Sequence, residues 1–382
     1  MTPASKRPIG FFVHHQGRGH AERVAAIVHA LPASRPVTLF SARGDIFPAL
    51  PGHAEIRVIP SLFEAPGPVP PALDDQRTPP TLHCAPLGWP TIRRAVAAIT
   101  GWFDAADPAL FVSDVSAEIA QLARIASVPA VKVLQHGQRD DIGHMAAYEG
   151  CVGLLAPYHE ALEQADRPAW MREKTCYAGG IGTPHDGPNR AEARTRLGLH
   201  PARELVLVIS GGGGSGAPLA PLTMGARAHP DALWVTIGPV TREWHETEVG
   251  NLRHQGWVEN PEDWIAAADT VIASSGNTTV HMICAAGRPY LVVPEWRYFD
   301  EQGCKARALA EVGAAALRET WPASPAAWRE ALADAKACDR DAQARLVAGD
   351  GARVAADWLE TLSARLWAPA PNNILTLPKA AE

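Results

Sequence analysis

Positive charge is in short supply in this chain of 382 residues: 35 lysines and arginines stand against 41 aspartates and glutamates, a net charge of −6. That balance argues against a nucleic-acid binder, which needs a basic face for phosphates. Long apolar runs are missing as well, and no stretch reaches the ~18 residues that a membrane-spanning helix requires. The N-terminal MTPASKRPIGFFV has no long apolar core before its first polar cluster and reads as a strand entry, not a signal peptide. Cysteine is sparse: the six (Cys84, Cys151, Cys176, Cys284, Cys304 and Cys338) form no CxxC pair, which excludes the usual zinc and dithiol spacings. Several, as in MICAAG, sit among apolar residues that suit a reduced, buried thiol. A cytoplasmic location is therefore expected.

Two phosphate fingerprints are also missing. GGGGSGAP has no GK[ST] after its glycines and is not a Walker loop. GRGHAE lacks the third glycine of a dinucleotide loop, and the next strand, ending TLFSARGD, brings no acidic residue directly to its tip for a ribose. No nicotinamide or other resident cofactor is expected. For a metal, His14, His15 and His20 offer ligands, but adjacent residues on a strand point to opposite faces, so no metal site is expected there. The Asp339–Asp341 run lies in a charged helical tail and reads as a solvated face.

What is present is a regular alternation. A hydrophobic content of 47% with 20% charged residues belongs to a globular protein, and the length suits two α/β domains. Ile9–Val13 reads as a strand and Arg18–Leu31 as a helix with Val24, Ile27, Val28 and Leu31 on one face. Strands at Pro36–Phe40 and Ile56–Ile59 precede a proline-rich stretch around Pro66–Pro90. Beyond it, PALFVSD and PAVKVLQHG alternate with helices. Glycine, proline and charge then cluster near Pro184–Pro188, and the pattern restarts with ELVLVIS, ALWVTIG, DTVIAS and PYLVVPE. Strand–helix alternation predicts parallel sheets covered on both faces. Two Rossmann-like domains are expected, residues 1–185 and 186–370.

In such sheets ligands sit beyond the carboxyl ends of the strands. Three loops fall there: HHQGRGHAE, SGGGGSGAP and SSGNTTV. Each has glycines that let backbone N–H groups approach a ligand, and each leads toward a helix start, whose dipole favours an anion. A phosphate-bearing substrate suits them.

Taken together these loops resemble those of GT-B glycosyltransferases that use a nucleotide-diphosphate sugar. The likeness runs from Ile9 to about Ala316. It is sharpest in the ordered pieces GWVEN, ADTVIASSG, AAGRPYLVVP and DEQ. That order is similar to the donor-binding signature of the UDP-glycosyltransferases and of the bacterial N-acetylglucosaminyltransferase that completes lipid II. The resemblance implies a GT-B fold whose C-terminal domain holds the donor. Val258 would face the base. Ser274, Ser275, Gly276, Asn277, Thr278 and Thr279 would hold the diphosphate, with Gly212, Gly213, Gly214 and Ser215 flanking it. Glu301 and Gln302 would meet the sugar.

On the N-terminal side the resemblance implies that His20, just after the glycines of GRGH, is the catalytic base, with Asp114 at the end of FVSD as its orienting carboxylate. Gly17, Arg18 and Gly19 would form the turn beside it, and His136 is a further cleft candidate. Imidazole suits this task because it titrates between about pH 5 and 8. The sequence departs from the family at Met282, where a ribose-binding glutamate is usual, with His281 beside it. It also has Lys305 where asparagine is common. The expected activity is sugar transfer from a donor, UDP-linked by default, to an unidentified acceptor, without a metal. Two rivals share the fold: a UDP-hexosamine 2-epimerase and a non-catalytic nucleotide- or glycan-binding protein.

Overall fold

A computed structural model of the chain describes residues 6–182, 187–211, 214–241 and 249–369. Seven strands make the first sheet: β1 (Ile9–Phe12), β2 (Val37–Ser41), β3 (Ala54–Val58), β4 (Leu110–Ser113), β5 (Ala130–Val133), β6 (Gly153–Ala156) and β7 (Thr175–Tyr177). Their spatial order is β3-β2-β1-β4-β5-β6-β7. The chain continues through β8 (Leu205–Ile209), β9 (Ala217–Pro218), β10 (Leu233–Ile237), β11 (Val240–Thr241), β12 (Leu252–Gly256), β13 (Thr270–Ala273), β14 (Tyr290–Val292) and β15 (Ala316–Leu317). Short β9 and β11 pair with each other, and the rest form a second sheet in the order β12-β10-β8-β13-β14-β15.

All pairings in both large sheets are parallel. This explains the sequence of the central strands. IGFF, LFVS, LVLVI and TVIA are apolar almost without interruption because helices cover both faces. The two-sheet α/β architecture expected from the alternation is the one the chain adopts.

Strand order reverses once in each sheet, at β1/β4 in the first and at β8/β13 in the second. A crevice opens at such a switch point because successive connections leave in opposite directions. The helix start after β1 and the loop after β4 carry His20 and Asp114; the loops after β8 and β13 carry Gly214–Ser215 and Ser274–Gly276.

The final helix, Gly351–Leu366, does not stay with the second sheet. Ala352, Ala355, Leu359 and Leu362 share a core with Val24, Ile27 and Val28 of helix Arg18–Ala30. Arg35 Nε and Nη2 donate to the two oxygens of Glu360, each at 2.7 Å, and Trp367 Nε1 donates to the Ala109 carbonyl at 3.0 Å. Its alanine–leucine stripe needs an apolar partner, and the N-terminal helix supplies one. The residue 185/186 boundary itself lies outside the described residues. Among the described residues no helix is long and apolar enough to cross a membrane.

Candidate active site

β1 ends at Phe12 and the first helix begins at Arg18, so five residues must turn the chain. Gly17, at φ 89°, makes that turn in a conformation that L side chains rarely adopt. Two residues into the helix, His20 faces the switch point. Its Nδ1 lies 2.6 Å from Asp114 Oδ2. An ionised carboxylate only accepts, so Nδ1 carries a hydrogen, and in the neutral ring this tautomer leaves the lone pair on Nε2. Arg23 Nη2 donates to the other oxygen, Asp114 Oδ1, at 2.7 Å. Its approach to His20 Nδ1, at 3.2 Å, joins two donors and is a charge contact, not a second hydrogen bond.

Asp114 is 1% exposed. Burial alone would raise its pKa, but the Arg23 guanidinium and His20 outweigh that and hold the carboxyl well below the usual range. The backbone beyond it is strained. Val115 has φ 65°, and the Ser116 amide donates to the Asp114 carbonyl at 2.8 Å, closing a three-residue turn. Lys132 of β5 pins this turn by donating to the Val115 carbonyl at 2.6 Å, and burial pulls its pKa down to about 8. Arg23 and Lys132 carry no motif; only their position next to the switch point marks them.

His14 and His15 lie beyond the strand, so they do not point to opposite faces as strand neighbours would. Their rings lie within 7° of parallel, 5.5 Å apart, and His14 also contacts Phe63 and His20. Burial and the nearby His20 push the His14 pKa down to about 4. His136 is not on the cleft. It is buried against Tyr158 and donates through Nε2 to the Leu162 carbonyl at 2.7 Å. Its neighbours Gln135 and Arg139 line the cleft instead.

Across the cleft, which has a volume of about 1060 Å³, the second domain contributes Gly214, Ser215, Glu295, Trp296, Arg297, Tyr298, Phe299 and Glu301. Gly212 and Gly213 lie outside the described residues. Helix Asn277–Ala285 starts at Gly276 with no side-chain cap and no acidic residue in its first turn, so none of its own side chains occupies its first amides. Asn277 Oδ1 accepts from Lys305, which burial brings down to about pKa 7. Thr278 faces the first domain, since a methyl group on Gly19 would lie 3.2 Å from its Oγ1.

Other expected donor residues are committed to the fold. Ser275 Oγ donates to the Gln302 carbonyl at 2.8 Å, and Tyr290 donates to the Ser274 carbonyl at 2.7 Å. The Gln302 side chain is buried and accepts from the Glu295 amide at 2.8 Å. Of the expected residues, Arg18, Gly19, Ser274, Ser275, Gly276, Asn277, Thr278 and Thr279 do not line the cleft, and Val258 packs against the core. Met282 packs there as well, so this helix offers no carboxylate for a ribose. Glu301 does line the cleft but is engaged from the opposite domain by Arg139, at 2.7 Å.

The proline-rich stretch forms a wall. His83 and Cys84 border the main cleft, and Leu82, Cys84 and Ala85 border an apolar pocket of about 210 Å³ on the other side. His83, Asp141 and His144 bring potential metal-ligand atoms within 4.8 Å of one another. His144 Nδ1 is spent on Asp141 Oδ2 at 2.5 Å, and both rings pack edge-on against Phe299.

No protein-family model matches the chain. A segment of 142 residues is 28% identical to the UDP-N-acetylglucosamine--N-acetylmuramyl-(pentapeptide) pyrophosphoryl-undecaprenol N-acetylglucosamine transferase of Halalkalibacterium halodurans, covering 34% of this chain and 39% of that one. The match therefore spans well under half of that relative. Among solved structures the chain is similar to the glycotransferase of kitacinnamycin, with a TM-score of 0.63 and 17% identity over 95% of this chain and 100% of that one. It is similar to MurG of Acinetobacter baumannii, with a TM-score of 0.60 and 14% identity over 93% and 99%. UGT89C1 of Arabidopsis thaliana complexed with UDP gives 0.59 and 14% over 94% and 100%. At these identities the likeness concerns architecture. The chain has the GT-B fold of glycosyltransferases, two Rossmann-like domains facing a cleft.

Proposed function

We propose that this protein is an inverting glycosyltransferase that moves a sugar from a nucleotide-diphosphate donor, UDP-linked by default, to an acceptor nucleophile bound in the cleft. One observation carries the reading: His20, paired with Asp114, borders the cleft, and the uncapped start of helix Asn277–Ala285 packs beside it, where a methyl group on Gly19 would lie 3.2 Å from Thr278 Oγ1. His20 Nε2 takes the acceptor proton as the nucleophile attacks the anomeric carbon, and the sugar–phosphate bond breaks. Asp114 holds the tautomer and stabilises the imidazolium that forms. The departing diphosphate gains negative charge, which the first amides and dipole of the helix stabilise without a metal. A single displacement of this kind inverts the anomeric configuration. The donor class is supported by the relative whose name specifies UDP-N-acetylglucosamine and by the similar structure that holds UDP.

Met282 favours a second reading, a non-catalytic nucleotide binder, because the ribose loses its usual carboxylate. One experiment separates the readings. Thermal unfolding is followed with UDP, dTDP, GDP, NAD and NADP, and UDP release from UDP-glucose and UDP-N-acetylglucosamine is measured with a panel of acceptors. Stabilisation by one nucleoside diphosphate, of about 2.7 kcal/mol at a hundred times its Kd, with release that depends on an acceptor, is the expected result. Stabilisation without release supports the binder, and stabilisation by NAD or NADP removes the transferase reading.

A further inference from the structure

The residue proposed to meet the donor sugar is also one of those through which the two domains hold each other. Glu301 Oε2 accepts from Arg139 Nη2 at 2.7 Å and lies 3.4 Å from Gln135 Nε2, both beyond the end of β5. Beside this pair the Gln138 amide donates to the Phe299 carbonyl at 2.7 Å, and the Arg139 guanidinium stands 4.5 Å from the centre of the Phe299 ring. His83 and His144 pack against the same ring, each 5.2 Å away.

The backbone is shaped for this contact on both sides. Gly137 has φ 113°, and a methyl group there would lie 2.6 Å from the Phe299 carbonyl oxygen, so only glycine lets the loops meet. Opposite it, Phe299 and Asp300 both adopt left-handed backbone, φ 63° and 52°, which L side chains disfavour. Strain of this kind persists only where surrounding contacts over-determine it, and it concentrates at functional sites.

We propose that Arg139 is a positioning residue for the donor sugar. From the first domain it takes one oxygen of Glu301 and fixes the carboxylate, so that the other oxygen, Oε1, is presented to a sugar hydroxyl. Recognition of the sugar is thereby coupled to closure of the cleft. UDP alone, seated at the start of helix Asn277–Ala285, does not need Glu301, whereas the sugar does. The inference rests on the transferase reading of the cleft.

The test is calorimetric titration of UDP, UDP-glucose and UDP-N-acetylglucosamine into the full chain and its Arg139→Ala, Arg139→Lys and Gly137→Ala variants, with hydrogen exchange of residues 135–139. The wild type is expected to bind one UDP-sugar more tightly than UDP. Arg139→Ala reduces that preference by about tenfold, the scale of one hydrogen bond to a charged group, and leaves UDP affinity unchanged. Arg139→Lys recovers part of the loss because the charge remains. Gly137→Ala, which keeps both charged residues, lowers the preference too, and the Gln138 amide exchanges faster in it and in Arg139→Ala. Unchanged UDP affinity also shows that the variants are folded. Equal changes for UDP and UDP-sugar, or unchanged Gln138 exchange in Arg139→Ala, overturn the proposal. A wild type that binds none of the three nucleotides overturns the transferase reading, and this inference with it.

Discussion

Arg23 and His20 divide one buried carboxylate between them: Asp114 Oδ1 receives the guanidinium at 2.7 Å and Oδ2 the imidazole at 2.6 Å. A fixed cation thus keeps the group ionised while leaving one oxygen to orient a titratable ring. Arg23 Nε, also buried, has no hydrogen-bond partner among the described residues, so the arginine is not placed for the best bonding of all its own groups.

Turnover should depend on both members of the pair, and donor binding on neither. His20→Ala is expected to lower kcat by about 10²–10⁴. Asp114→Asn, which permits the wrong tautomer, should lower it by up to about 10⁴. UDP affinity measured by calorimetry stays constant in both. Loss of UDP binding together with turnover would place these residues in the donor site instead.

Removing the cation should cost stability. Arg23→Met leaves Asp114 buried without its fixed cation, and breaking such a pair costs about 3–5 kcal/mol. Denaturant unfolding should also show Arg23→Met/Asp114→Asn recovering much of that loss, since the uncompensated charge is gone. Additive losses in the double variant would contradict the pairing.

Acid should unfold the protein partly through histidines that are buried neutral. Burial lowers the pKa of both His136 and His281 to about 3, against an ordinary value of 6.5. Between those values the unfolded chain binds protons that the native chain does not, so stability rises with pH across the window. It is fully present above 6.5 and drains away as pH falls toward 3. Each group contributes a slope of up to about 1.4 kcal/mol per pH unit. His136→Gln, whose amide can still donate to the Leu162 carbonyl, should flatten the dependence of unfolding free energy on pH by one such slope.

A chelator should leave turnover unchanged. The proposed diphosphate site uses amides, and the His83–Asp141–His144 group lies beside Phe299, with His144 Nδ1 already bonded to Asp141. Assays after exhaustive EDTA treatment, with and without added Mg²⁺, check this. Abolition by EDTA and rescue by one metal would show that the charge is met another way.

Much of this architecture is legible in the sequence. Apolar four- and five-residue runs alternate with helical spacing, and only a parallel sheet buries both faces of such strands. The glycine-bearing loops then fall at the strand ends by chain order alone. The pairing of His20 with Asp114 is different. Ninety-four residues separate them, and the expectation came from family likeness, while adjacency of β1 and β4 makes the contact. His136 misled because a histidine at a strand end is equally suited to a cleft or to a carbonyl beneath it. Only the position of Leu162 decides between them.

By itself, then, the sequence determined the central apolar strands, their parallel packing and the polar loops at their carboxyl ends, since these follow from periodicity and local backbone chemistry. The edge strands β6, β7, β12 and β15 and the two switch points did not emerge from it. The tertiary structure alone decided which side chains meet across long separations. Arg139 and Glu301 are 162 residues apart and belong to different sheets. Likewise, Gln302 turns onto its own loop, Met282 against the edge of the core, and the last helix onto the first domain. Each outcome depends on the direction of a side chain and the docking of whole layers, which no local pattern encodes.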